Sequence, residues 1–234
     1  MRKRVLINII YGIGIGLFLS FFSETILENI LVGPGWSKES DFFDLYGMIC
    51  WPLIYSPIWG MNFIFLEDDL NLSNIVIARY GNIKKWWRRC VIRCAVENVC
   101  CYVALYSILV GAMGGFGEWC HAYIVIIIHG LMIFSIGIWI RILTQRMVIS
   151  AIILTALEVC SKMLIVWNVI SPKWSIFSWG MYCYNSSNYG EKGVHFPLIL
   201  IGEIIVFVSC FMIPKTSMKK SLLERINTKN GYTY

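Results

Sequence analysis

Two acids and two bases stand inside otherwise apolar runs of this 234-residue sequence. Glu158 and Lys162 lie one helical turn apart between residues 147 and 170, His129 lies near the middle of 120–140, and Glu203 lies within 196–214. At i, i+4 spacing Glu158 and Lys162 share a helix face and neutralise each other. An ionisable pair at the centre of a bilayer costs several kcal/mol unless it faces protein or water, so these side chains are expected to point inward. There they could guide a substrate, latch a subunit interface or fix the rotation of a helix. Glu203 needs a partner, either Lys162 or His129. Buried acid–base chemistry by Glu158, Lys162 and Glu203 is conceivable. However, His121, His129 and His195 are far apart and no His-Glu-x-x-His zinc helix occurs. No Gly-x-x-x-x-Gly-Lys-Ser/Thr phosphate loop occurs either, so the chain has no such means of holding ATP. The nine cysteines form no Cys-x-x-Cys pair, and most sit in apolar runs where they act as small hydrophobes; Cys120 and Cys183 could pair or remain free thiols.

These residues are carried by elements that composition makes legible. Hydrophobic residues make up 58% and charged residues 15%, and the mean hydropathy is +0.67. A soluble domain needs about 25% charge, so the expected class is all-α integral membrane: one integral domain over 1–234. Spans are expected at about 5–22, 46–65, 94–113, 120–140, 147–170 and 196–214, six in all. Both termini are expected in the cytoplasm, because sixteen of the twenty basic residues fall in the N-terminus, the 67–93 loop, the 141–146 turn and the C-terminus. The +6 charge therefore orients spans and does not point to nucleic acid. The first run continues past a signal-peptide length without a cleavage box and reads as a retained anchor. Within it, Gly12 and Gly16 satisfy small-xxx-small spacing, a close helix contact or ordinary glycine tolerance. Pro52 and Pro57 interrupt the second span and predict a kinked or pathway-lining helix. Residues 171–195 are rich in Trp and Tyr and are expected to lie along, or dip into, the outer leaflet.

The longest polar interruption runs from Glu67 through Asp68 and Asp69 to Arg79, Lys84, Lys85, Arg88, Arg89 and Arg93. Its basic residues make it cytoplasmic, with short interfacial helices broken at Gly81 and with Trp86 and Trp87 at headgroup level. An acidic tip and a basic base would then be offered to a soluble partner. Arg93 and Glu97, at i, i+4, are expected to form an ion pair near the inner interface.

The words Ile77-Ala78-Arg79-Tyr80-Gly81-Asn82-Ile83-Lys84-Lys85-Trp86-Trp87, in their six-span setting, resemble the cytoplasmic loop of small ABC-2 type permeases of ATP-binding-cassette exporters that serve bacteriocin or lantibiotic export and immunity. The resemblance implies a short coupling helix in 67–90 that docks on a separate ATPase, through Arg79, Tyr80, Gly81, Asn82, Lys84, Lys85 and Trp86. It implies a second permease copy or paralogue, ATP and Mg²⁺ bound by the partner and not by this chain, and a multi-pass place in a bacterial cell membrane. The family's usual amphipathic helix before span one has only Met1 to Arg4 to represent it here. An intramembrane enzyme and a non-transporting immunity or assembly factor are the competing readings.

Overall fold

Apolar runs in lipid leave the backbone no hydrogen-bond partner but itself, and the long elements are helices accordingly. The computed structural model describes residues 2–22, 27, 30, 45–71, 83–114, 116–144, 146–181 and 193–209. Among these, six long helices follow in order: α1 (Arg2–Ser20), α2 (Leu45–Asn71), α3 (Ile83–Ala112), α4 (Phe116–Thr144), α5 (Met147–Val166) and α6 (Phe196–Ser209). Two single-turn 3-10 helices, Pro172–Trp174 and Ile176–Ser178, lie between α5 and α6. Four of the helices contain stretches long and apolar enough to cross a membrane: Lys3–Ser20, Lys84–Ala112, Trp119–Thr144 and Met147–Ile165. The 27-residue α2 has the length but carries Pro52, Pro57 and the acidic triplet. The described part of α6 is apolar but has 14 residues.

Several boundaries differ from expectation. The third helix starts at Ile83 and not near residue 94, so the basic–aromatic word is its opening turns. The second continues to Asn71 and takes in Glu67, Asp68 and Asp69. The two ends of the 67–90 segment belong to long helices, and residues 72–82, the part left for a short coupling helix, lie outside those described. Between α3 and α4 the turn is confined to a few residues around Gly114, whose φ of 87° is open to glycine at little cost. The fifth helix ends at Val166, because Asn168 adopts φ 56° and the following amides of Val169 and Ile170 turn back to the Leu164 carbonyl.

Side-chain pairs fix the directions of the helices. Arg4 of α1 and Arg93 of α3 meet at the same Asp69 of α2, while Glu67 of α2 meets Arg141 of α4. The start of α1, the end of α2, the start of α3 and the end of α4 thus share one end of the bundle. At depth, Tyr55 of α2 stacks on Tyr102 and Tyr106 of α3 with centroids 6.0 and 6.2 Å away. Phe63 stacks on Phe134 of α4 at 5.7 Å.

The glycines of α1 divide by face. A Cβ at Gly12 would stand 2.5 Å from the Cys101 carbonyl oxygen, and one at Gly16 3.0 Å from Ile108 Cβ, whereas nothing lies within 4 Å of Gly14. Gly12 and Gly16 are the seam on which α1 runs parallel to α3, and the close-contact reading of their spacing holds. Since the obstacle at Gly12 is backbone, Gly12→Ala is expected to cost about 1–3 kcal/mol by forcing the helices apart. Gly14→Ala should be neutral or slightly stabilising. Reversible unfolding of both variants in mixed micelles measures the contrast.

Candidate functional site

The ionisable residues expected at membrane depth form two buried sites. In the first, Glu158 and Lys162 of α5 pair at 3.7 Å, both nearly inaccessible. Trp51 of α2 completes the site: its Nε1 donates to Glu158 Oε1 at 3.0 Å, and the Lys162 ammonium stands 4.7 Å over its ring. One indole thus serves the anion through its edge and the cation through its face. The expected pair exists and points into the bundle. In the sequence Trp51 directly precedes Pro52, and a donor-bearing aromatic within the second span is the signal that points to it. Pro52 is buried beside it, whereas Pro57 faces outward, which removes Pro57 from any internal pathway.

In the second site, His129 Nδ1 of α4 lies 2.8 Å from Glu203 Oε1 of α6, and both side chains are buried. His129, not Lys162, is therefore the partner of Glu203. His129 Nε2 and Glu203 Oε2 have no hydrogen-bond partner among the described residues. Against this pair lies the segment carrying the 3-10 turns: a Cβ at Gly180 would fall inside the His129 ring, and Trp179 covers Gly202 of α6. Its Ser175 and Ser178 are buried, and Ile176 and Phe177 pack on the cluster that holds Trp59 and Phe63. His129 is near the midpoint of its 29-residue helix, so the segment dips into the bundle. Non-helical backbone at such depth persists only when walled in by protein or water, and here α4, α5 and α6 supply the wall. Trp174 remains exposed, as expected of an interfacial aromatic.

The expected docking loop is altered most. Arg79, Tyr80, Gly81 and Asn82 lie outside the described residues. Lys84, Lys85, Arg88 and Arg89 are exposed on one side of the first turns of α3. Trp86 is buried together with Trp87 among Trp59, Phe63, Leu66 and Cys90, so its ring packs within the bundle. The acidic tip is engaged by arginines of the bundle, with Asp69 buried, Glu67 half-buried and Asp68 exposed. Arg4 reaches Asp68 at 3.5 Å and Asp69 at 3.1 Å, Arg93 pairs with Asp69, and Arg141 grips Glu67 with Nε at 3.0 Å from Oε2 and NH2 at 3.4 Å from Oε1. Three arginines from three helices are thus gathered by one acidic triplet. Arg93 has Asp69 as its partner and not Glu97, because α2 delivers a carboxylate that local spacing does not foresee.

Cys120 is a free thiol, and Cys183 lies outside the described residues. Among the described residues no group of His, Cys, Asp and Glu is arranged to hold a metal ion. Comparison with family models, curated proteins and solved structures finds no match to this chain.

Proposed function

We propose that this chain is a six-span permease subunit of an ATP-driven exporter of the ABC-2 type, with both termini cytoplasmic, and that a separate ATPase carrying ATP and Mg²⁺ docks where α2 gives way to α3. One observation carries the reading. At 30 residues α3 is about 45 Å long, against a hydrocarbon core of about 30 Å, and its surplus is the cationic start bearing Lys84, Lys85, Arg88 and Arg89. That start is anchored through Arg93 and Asp69 to α1 and α2, and α2 through Glu67 to α4. A push on residues 72–82 would therefore be passed to several helices as a rigid displacement. The buried Trp51–Glu158–Lys162 and His129–Glu203 sites supply polar surface inside a bundle that a peptide or lipid-like cargo could meet, with a second permease copy or paralogue forming the other wall. In a bacterial cell membrane, bacteriocin or lantibiotic export or immunity fits such a subunit.

The test is purification of the tagged chain from its native membrane in mild detergent. An ATPase subunit is expected to accompany it, and to be lost in a variant with Lys84, Lys85, Arg88 and Arg89 all changed to Gln while the amount of chain in the membrane is unchanged. Isolation of the wild-type chain without an ATPase, from cells in which its activity is intact, would overturn the assignment.

A further inference from the structure

Glu97 stands on α3 one turn beyond Arg93 and is fully buried, yet neither of its carboxyl oxygens has a hydrogen-bond partner among the described residues. Asn8 of α1 is also fully buried. Its Nδ2 donates to the Arg4 carbonyl at 3.0 Å, but its Oδ1 has no partner. The register of the parallel seam brings the two to one level. Arg4 and Arg93 meet at Asp69, Gly12 lies on the carbonyl of Cys101 and Gly16 on that of Leu105, each pair 89 positions apart. Residues 8 and 97 are the pair that this ladder leaves between them. This buried interface thus holds three acceptor oxygens without a hydrogen-bond partner among the described residues, with one likewise unpartnered donor, Arg93 Nε, a turn away on α3, which buried polar groups tolerate only at considerable cost.

A hard metal cation is a poor occupant, since it demands six or so oxygen ligands and would sit a turn from the guanidinium groups of Arg4 and Arg93. A proton needs only two of the oxygens and leaves no net charge. We propose that Glu97 and Asn8 form a proton-binding site, with the carboxylic acid of Glu97 donating to Asn8 Oδ1, and that this proton competes with Arg93 for the Glu97 carboxylate. The charged and titratable groups around it are Arg4 and the N-terminal amine, Asp69 on α2, and Arg93, Cys90 and Cys94 on α3. While Glu97 keeps its proton, Arg93 has one anion within reach, Asp69, and pairs with it. When the O–H bond of Glu97 breaks, the proton passes to water at the arginine end of the bundle, and the electron pair stays as a buried carboxylate. Arg93, still protonated and four residues away, then turns to it, and Asp69 keeps Arg4. Proton occupancy thereby selects which helix Arg93 is tied to.

Infrared spectroscopy of the full-length chain in lipid nanodiscs at neutral pH tests this. A protonated-carboxyl C=O band is expected in the wild type and should be lost in Glu97→Gln, whose amide can still donate to Asn8. The band should shift in Asn8→Ala, which removes the acceptor. It should vanish in Asp69→Asn, where Glu97 is untouched but Arg93 is released to claim it. No acid band in the wild type minus Glu97→Gln difference spectrum overturns the site, as does a band indifferent to Asn8→Ala. A band that persists in Asp69→Asn overturns the competition with Arg93. If Asn8→Ala fails to insert, the difference spectrum decides the site by itself.

Discussion

Glu67→Ala is expected to destabilise the folded protein by about 3–5 kcal/mol, the largest effect of any single change at the arginine end of the bundle. Arg141 is almost wholly buried at the end of α4, and two of its guanidinium nitrogens are taken by the two oxygens of Glu67. Removing the acid strands a cation that cannot discard its charge. Converting both residues to leucine should recover most of the loss, because the penalty lies in the unpaired charge and not in absence of the pair. Unfolding equilibria of the two variants in mixed micelles decide the matter. A cost for Glu67→Ala below about 1 kcal/mol, the range of an exposed pair, would show that Arg141 reaches water by another route.

The second large effect separates architecture from activity at the Trp51 site. Glu158→Ala leaves the Lys162 ammonium buried beside an indole N–H that has lost its acceptor, and should cost about 3–5 kcal/mol. The double change Glu158→Leu with Lys162→Leu removes both charges together and is expected to be neutral or stabilising by up to about 4 kcal/mol. Activity assays on this stable double variant are then informative. If the chain is the permease proposed above, lost transport with an intact fold assigns the pair to the pathway, and full transport assigns it to helix packing. A double variant as unstable as Glu158→Ala would mean that the charges themselves hold α5 on α2.

The apolar runs and the i, i+4 pair were legible in the sequence because both depend on local spacing. The partner of Glu203 was narrowed to two residues, since charge complementarity limits the choice but only the packing of α6 on α4 makes it. Arg93 shows where local reasoning fails: Glu97 is four residues away in the chain, but Asp69 comes from another helix and wins. The burial of Trp86 could have been seen. Residues 86, 87, 90, 91 and 94 are buried while 84, 85, 88, 89 and 92 are exposed, an amphipathic helical pattern that begins at the basic word itself. Reading that word as a loop hid the pattern. Residues 79–82, expected to dock, lie outside the described structure, and no packing argument bears on them.

The descent of residues 172–181 toward His129 also constrains biogenesis. During synthesis this stretch leaves the ribosome before α6 exists, when lipid could offer its peptide groups no hydrogen bonds. It must wait at the insertion machinery, or on the far side of the membrane, until the helix bearing Glu203 arrives to close the wall. Seating of this stretch is therefore expected to follow insertion of α6, and a chain cut short ahead of α6 is expected to present it unseated to membrane quality-control proteases.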